Sequence, residues 1–396
     1  MKILQITKYY YPAMTFGGPV RCTYNLSSYL SKKGHNVTVY TTDALNINDN
    51  ARIGIKQQII GNVKVFYFPT LTRSYGFFVT PQMISALQKN LRNFDIVHLH
   101  EYRTFQNLSY YFLNASRIPS VITLHGQLFT AYVGDRADSI VFRTAFDSLL
   151  GRRMLNRSKR VLALTESEAD KCIKWGVHSN KVIVVPNGVD PEDFSNLLPK
   201  GEFKKQFHIV NENMILYLGR INRRKGIDVL IKAYSKLLKH KRDTTLVIAG
   251  ADDGFLTEAR LMVKGLGLES SVIFTGGLTR KQVLAAYNDA SIVVYAGIQE
   301  GFPLVPLEAG IMGKPIIVSD DPATDFVKKG RFGLSVKYGD VTELSDAVDY
   351  VLSNSEIAQE LGANGKDFVL SNYSWDSVGQ QIESIYNSVL CEKSSN

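Results

Sequence analysis

Residues 215–231 read ILYLGRINRRKGIDVLI. An apolar run, a glycine, a short basic loop, a second glycine and then apolar residues at helical spacing spell strand, turn and helix. The same unit recurs in both directions. Downstream, strands are expected at Met214–Leu218, Thr245–Ala249, Val272–Thr275, Ser291–Tyr295, Pro315–Val318 and Gly333–Val336. The clearest helices there are Gly226–Lys239, Arg280–Asp289 and Val341–Leu352. Upstream, Ile3–Thr7, Val37–Thr41, Val63–Phe68, Ile96–His100, Ser120–Leu124, Val161–Thr165 and Val182–Val185 read as strands, and Val20–Lys32, Pro81–Leu91, Ser139–Leu155 and Glu166–Trp175 as helices. Such alternation gives an α/β protein, a parallel sheet covered by helices. The polar stretch Leu197–Lys205 separates the two series, so two α/β domains of similar size are expected. Trp375–Leu390 carries apolar residues at 378, 382, 385 and 389, a helical stripe, and EKSSN after it reads as a polar tail.

The chain has 396 residues, 45% hydrophobic and 21% charged, ordinary for a globular enzyme of two or three domains. No apolar run reaches the roughly 18 residues of a membrane span. MKILQITKYYYP at the start has no signal-peptide pattern and reads as an immediate strand, which makes the expected location cytoplasmic. Three scattered cysteines, Cys22, Cys172 and Cys391, offer neither a disulfide framework nor a CxxC metal pattern. His98 and His100 alternate along a strand with no third ligand nearby, so they read as structural and no metal site is expected. The net charge of +9 is uneven. Residues 1–195 hold 23 Lys and Arg against 13 Asp and Glu, and residues 196–396 hold 23 against 24. The first half therefore carries the field that attracts anionic partners.

In open α/β sheets ligands bind outside the carboxyl ends of the strands. After the first strand, YYYPAMTFGGPV places Gly17-Gly18 before a helix, where backbone N–H groups can approach an anion. It is not the GxGxxG fingerprint, which counts against a dinucleotide-dependent oxidoreductase. After Met214–Leu218, Arg220 and Lys225 lie in the loop before a helix, a bidentate fork and a point charge suited to a diphosphate. Arg223 and Arg224 read as solvated. Further on, ASIVVYAGIQEGFPLVPLEAGIMGKP holds Glu300 and Glu308 around a Gly-Phe-Pro opening. Pro303 fits a first helical turn, leaving the N–H groups of Leu304 and Val305 as anion donors. Glu300 stays in the loop, and Glu308 lies one to two turns into the helix, placed to accept from a ribose diol.

At this point the chain resembles glycosyltransferase family 4. GRINRRKG followed about 75 residues later by EGFPLVPLE carries the likeness, together with KKGHNVTVYT, DIVHLHE, TLHG, VVPNGVD and YSWD in order. The resemblance covers essentially the whole chain and implies the GT-B fold, two Rossmann-like domains facing each other across a cleft. Residues 1–192, completed by a C-terminal helix over about 374–392, would form the acceptor domain, and residues 206–370 the nucleotide-sugar domain. It further implies retention of anomeric configuration and no bound metal or cofactor beyond the nucleotide-sugar substrate. By position, Arg220 and Lys225 would hold the donor diphosphate, with Gly18 approaching it, and Glu308 would bind the ribose. Glu300 would lie against the transferred sugar, and His125 would contact the sugar or the reacting region. A His at a strand end can also simply bond a neighbouring carbonyl. The family often has Pro-Ser where this chain has Ala296-Gly297, and Gly at Pro303, which leaves the sugar itself undetermined. Front-side attack is the route the family implies, ahead of a double displacement through Glu300.

The cluster RRMLNRSKR, with Arg152, Arg153, Arg157, Lys159 and Arg160, and the stretch TRSYGFFVTP, with Arg73, Tyr75, Phe77 and Phe78, combine basic and aromatic residues. They suit an anionic membrane surface or a lipid-linked acceptor, or else a solvated helix end and a packed loop. No nucleic-acid motif accompanies the charge. The leading expectation is a glycosyltransferase acting on a glycan or lipid-linked acceptor. The alternatives are an isomerase- or phosphorylase-type enzyme on the same scaffold, or a non-catalytic sugar-nucleotide binder.

Overall fold

A computed structural model describes residues 1–46, 50–74, 76–114, 118–128 and 136–394. The chain divides into two compact units, Met1–Gly188 with Trp375–Asn396, and Val189–Ser374.

The first unit contains β1 (Lys2–Ile6), β2 (Asn36–Thr42), β3 (Gln57–Ile60), β4 (Val63–Phe68), β5 (Thr72–Ser74), β6 (Phe77–Val79), β7 (Ile96–His100), β8 (Ser120–Thr123), β9 (Arg160–Ala163) and β10 (Val182–Val184). Its main sheet runs β10-β9-β8-β7-β1-β2-β4-β3, parallel throughout except that β3 pairs antiparallel with β4 at the edge. Strands β1, β2, β7 and β8 are almost wholly buried, as expected of a parallel sheet covered on both faces. The edge strand β3 alternates exposed and half-buried residues, so its apolar signal is thin, and sequence periodicity passes over it. The hairpin β5–β6 and the helix Phe105–Leu113 are likewise additions to the expected set.

The second unit contains β11 (Asn213–Leu218), β12 (Thr244–Ala249), β13 (Val272–Gly276), β14 (Ile292–Tyr295), β15 (Ile316–Ser319) and β16 (Gly333–Val336), in the all-parallel order β13-β12-β11-β14-β15-β16. Among the parallel strands of each sheet the order reverses once, between β1 and β7 and between β11 and β14. Those reversals mark the crevices where α/β sheets accept ligands.

Two expectations are corrected. The last helix runs Trp375–Ser394, absorbing most of the stretch read as a polar tail; Glu392 pairs with Arg160 of β9 and so holds the final turn down. The helix expected over Ser139–Leu155 spans Ala137–Phe146 and Arg152–Arg157 with a wider π-turn over Asp147–Gly151 between them. There Asp147 is buried beneath a bond from Tyr102 Oη (2.7 Å) and an ion pair from Arg103 (2.6 Å).

The last helix belongs to the first unit, and its stripe of Val378, Ile382, Ile385, Tyr386 and Val389 is buried. Replacing Ile382 by Ala should destabilise this unit by about 2–5 kcal/mol, transfer loss plus cavity, while Asn387→Ala on the exposed side stays within about 0.5 kcal/mol. Denaturant titration of both variants checks this, and equal effects would mean that the stripe does not anchor the helix.

Candidate functional site

The chemistry of the second unit sits where β11 and β14 part. Gly226 closes the basic loop at φ +65°, and a Cβ there would lie 2.2 Å from the Ala296 carbonyl oxygen. Only glycine permits that approach. The Ile298 N–H donates to the Arg224 carbonyl at 3.1 Å, lacing the loop after β11 to the loop after β14. This close packing brings Lys225 Nζ to 2.7 Å from Glu300 Oε1 and 3.1 Å from the Tyr295 hydroxyl. The contact with Glu300 is an ion pair without an aligned hydrogen bond on Oε1. Burial pulls the Lys225 ammonium below its ordinary range, with Glu300 opposing. Burial also pushes Glu300 up, but the charges of Lys225, Arg224 and Arg220 outweigh it and hold the carboxyl below its ordinary value. The site thus keeps a buried ammonium beside an ionised carboxylate. Arg220, about a third exposed, pairs with Asp253 at 2.9 Å, and Asn222 Nδ2 donates to the same oxygen at 2.8 Å.

Glu300 leads into the helix Leu304–Ile311. Pro303 is its N-cap, one position before the expected first turn. First-turn N–H groups have no intrahelical acceptor, and Pro306 has no N–H, so the main-chain donors of that turn belong to Leu304 and Val305. Glu308 is buried, with Oε1 accepting from Arg280 Nη1 and Oε2 from the Tyr287 hydroxyl, each at 2.9 Å. A carboxylate offers about four lone-pair positions, so it can still accept from a ligand while these partners fix its orientation. Among the described residues no group of three or more His, Cys, Asp or Glu side chains could hold a metal ion.

In the first unit, Gly17 (φ +86°) caps the helix Gly18–Lys32, and Gly18 is its first residue. His125 follows β8 in the left-handed region, φ +53°, and Gly126 continues there at +77°. Glu168 pins this turn, its two oxygens accepting from Gly126 N–H (2.8 Å) and Leu164 N–H (2.7 Å). His125 Nε2 lies 3.2 Å from His100 Nδ1. His100 stacks on His98 with centroids 4.2 Å apart, and His98 in turn contacts the Tyr386 hydroxyl (2.6 Å) and Thr123 Oγ1 (2.7 Å). Burial lowers His98 to about 3 and His125 to about 4, so both are neutral at pH 7. Beside them, at the β1/β7 reversal, Lys8 Nζ lies 3.4 Å from Glu101 Oε1, which also accepts from Gln127 Nε2 at 2.8 Å. Glu101 is buried, at φ +62°, with Oε2 unpartnered.

The structure therefore brings Lys225 to Glu300 and places Arg220, Leu304, Val305 and Glu308 around the same strand ends of the second unit, with Gly18 and His125 on the first. Sequence reading missed Tyr295, Asp253, Arg280 and Tyr287, the partners of Lys225, Arg220 and Glu308. Of these only Tyr295 had a signal, as the last residue of its strand. Of the basic cluster, Arg152, Arg153 and Arg157 are exposed, while Arg160 is held by Glu392. Phe77 of the aromatic stretch packs edge-on against Phe142 and Phe146, and Arg73 lies over Phe78. Tyr75 lies outside the described residues.

Residues 16–193 match the family described as Glycosyltransferase Family 4, and residues 200–368 match Glycosyl transferases group 1. An uncharacterised glycosyltransferase of Methanocaldococcus jannaschii is 27% identical over 98% of both chains. The alpha-monoglucosyldiacylglycerol synthase of Streptococcus pneumoniae is 24% identical, over 98% of this chain and 85% of its own. Among solved structures, Anabaena HepE in complex with UDP and glucose superposes with a TM-score of 0.76 at 18% identity, covering 98% of this chain and all of its own. The fold is the GT-B fold of these enzymes.

The buried imidazoles set a pH dependence. Their folded values lie below the usual 6.5, so their contribution to stability is full above about 6.5 and is lost as pH falls through about 4 and then about 3. Glu168, raised by burial to about 7, works oppositely: its contribution is full below about 4.5 and is lost as pH rises through 7. His98→Gln, an amide that cannot titrate, should therefore flatten the acid limb of thermal stability between pH 6.5 and 4. Parallel melting curves for variant and parent would show that His98 is not buried neutral.

Proposed function

Because the chain belongs to glycosyltransferase family 4, we propose that it is a retaining glycosyltransferase moving a hexose-type sugar from a nucleotide diphosphate sugar to a hydroxyl of a glycan or lipid-linked acceptor. The observation that carries this reading is the buried Lys225 paired with the half-buried Glu300 beside the Leu304–Ile311 helix N-terminus. Transfer builds negative charge on the leaving diphosphate and positive charge on the sugar. Lys225, Arg220 and the Leu304 and Val305 N–H groups suit the first, and Glu300 suits the second. Glu308, oriented by Arg280 and Tyr287, accepts from the ribose. Gly18 lets backbone approach the diphosphate, and His125 contacts the transferred sugar. In the front-side route the bond from the anomeric carbon to phosphate oxygen breaks. The acceptor hydroxyl oxygen then bonds that carbon on the same face, and its proton passes to the departing phosphate. Retention and hexose transfer rest on the family resemblance, and HepE's complex with UDP and glucose supports a donor of that class. These fixed cations and N–H groups supply the charge stabilisation that a metal would otherwise give, so no metal or other cofactor is needed.

Arg220→Ala removes a charge-assisted hydrogen bond and should weaken nucleoside diphosphate binding by about 1.5–3 kcal/mol, while turnover of the parent enzyme should survive EDTA. Arg220 is the cleaner test: its partner Asp253 is more exposed and keeps the Asn222 Nδ2 bond, whereas Lys225→Ala leaves the more buried Glu300 without its ammonium. Calorimetry with UDP, GDP and ADP, and hydrolysis of a panel of their sugars, check this. Unchanged affinity, or loss of activity in EDTA restored by Mn²⁺, would withdraw the clamp.

The proposal extends to a cytoplasmic enzyme resting on the inner face of the membrane through its first unit. Exposed Val141 and Leu149 share the Ala137–Arg157 helical stretch with Arg152, Arg153 and Arg157. The name of the pneumococcal relative is that of a glycolipid synthase. No helix among the described residues is long and apolar enough to cross a membrane, so attachment would be peripheral. Each basic residue at an anionic surface contributes about 1 kcal/mol within a Debye length. Co-sedimentation with anionic vesicles should succeed at low salt, fail at high salt, and fail when the three arginines become Glu. Binding indifferent to lipid charge would sink the idea.

A further inference from the structure

We propose that His100 fixes His125 in a single tautomer, with its proton on Nδ1, so that His125 presents an N–H donor and not a base to the transferred sugar. The inference rests on the role of His125 proposed above and deepens it.

The contacts involved form a chain inside the first unit. His98 is clamped at both nitrogens, by the Tyr386 hydroxyl from the last helix and by Thr123 Oγ1. The stack at 4.2 Å and 30° holds the His100 ring close to parallel with it. Among the described residues the His100 ring then has one polar contact, its Nδ1 at 3.2 Å from His125 Nε2, while its own Nε2 is buried without a partner. One of the two facing nitrogens must carry the proton and the other must accept it. If His125 Nε2 donated, His100 Nδ1 would be bare and its proton would sit on Nε2, an orphaned buried N–H. The small cavity beside His100, about 20 Å³, is lined by aliphatic side chains, Leu26, Leu162 and Leu164 among them, together with Thr123, Asn187 and Trp375. Thr123 Oγ1 is taken by His98, and none of these groups bonds His100 Nε2. The Trp375 Nε1–H is a donor, which suits a bare nitrogen opposite it and not a second N–H. Buried N–H groups without partners are rarer than under-satisfied acceptors, so the bare nitrogen belongs there. The His100 proton is therefore on Nδ1 and is donated to His125 Nε2. A neutral His125 must then hold its own proton on Nδ1. The backbone agrees with a fixed ring: Glu168 holds the Gly126 N–H, and His125 is locked in the left-handed region where few side chains sit. Donors aimed at a reacting sugar matter because they need no reorganisation as charge develops. His100 touches no substrate in this arrangement; it is a positioning residue.

The test is ¹⁵N NMR of protein labelled at histidine, with the His125 signal assigned by its loss in His125→Gln. The expected spectrum has Nδ1 protonated and Nε2 bare. His100→Phe keeps the ring stacked on His98 but removes the donor, and should let the His125 signal average between tautomers. With the nucleotide sugar found by the hydrolysis panel, kcat should fall roughly ten- to a hundredfold, as when other orienting partners are removed, at unchanged nucleoside diphosphate affinity. In a His125→Ala background the same change should cost nothing more. Parent protein with His125 protonated at Nε2, or a His100→Phe variant that leaves the tautomer fixed, would overturn the assignment, and the parent spectrum needs no variant to fold. If His125→Ala turns over as fast as parent, the role of His125 in transfer is lost instead, whatever the spectrum shows.

Discussion

The second unit depends on one close approach, Gly226 against the Ala296 carbonyl. A side chain at 226 would collide at 2.2 Å, and the bond that laces the loops after β11 and β14 together would part. The Lys225–Glu300 pair follows from it. Lys225 is the residue just before that glycine, so its ammonium is carried inward and must find a counter-charge. Glu300, four residues beyond Ala296, supplies it. Neither charge would survive burial alone, since an unpaired ion in such a place costs several kcal/mol. The pair is weak evidence for stability and better evidence for function, because an apolar pair of similar volume would pack there at less cost.

A similar logic, with different residues, governs the first unit. Its charges at the strand ends are Lys8 and Glu101, and its imidazoles are stacked instead of solvated. The last helix supplies Tyr386 to this arrangement, which makes a terminal segment part of the groundwork of the strand ends. The helix cannot be read as mere packing: its Glu392 and Glu383 contact Arg160 and His35, and its tyrosine seats the first imidazole of the stack.

Much of this was legible in the sequence, and the reason is physical. Short runs of β-branched, aliphatic and aromatic residues stand out between polar turns, so β4, β7 and β16 appear with the boundaries read from the sequence, and most others within one or two residues. The glycines of GRINRRKG and the charges between them mark a strand-end loop from the sequence alone. What stayed hidden is pairwise. Tyr295 reads as one more aromatic in a strand until folding sets its hydroxyl 3.1 Å from Lys225. Arg280 lies 28 residues from Glu308 and reads as a helix-start charge. Glu308 reads from the sequence as a ligand-facing carboxylate, but that Arg280 and Tyr287 hold its two oxygens is set only by folding. The edge strand β3 and the polar last turn of the final helix were missed for the converse reason. Their hydrophobic signals are thin, and pairing with β4 and with Arg160 holds them in place.

Backbone strain points to the same strand ends. Among the described residues, five that are not glycine lie at positive φ: Glu101, His125, His208, Gln299 and Arg331. Three of them follow sheet strands β7, β8 and β14 at their carboxyl ends: His125 is itself a candidate residue, Gln299 stands beside Glu300, and Glu101 pairs with Lys8 at the β1/β7 reversal. Such conformations cost about 1–3 kcal/mol each and persist only where the surroundings over-determine them. The surroundings do so here. Asp321 accepts the Gln299 N–H, Gln127 grips Glu101, and Glu168 holds the residue after His125. A fold selected for stability alone would relax these turns with glycine, as it does at Gly219 and Gly250. Keeping side chains in strained positions, each with a dedicated clamp, makes sense where those side chains must point at a ligand.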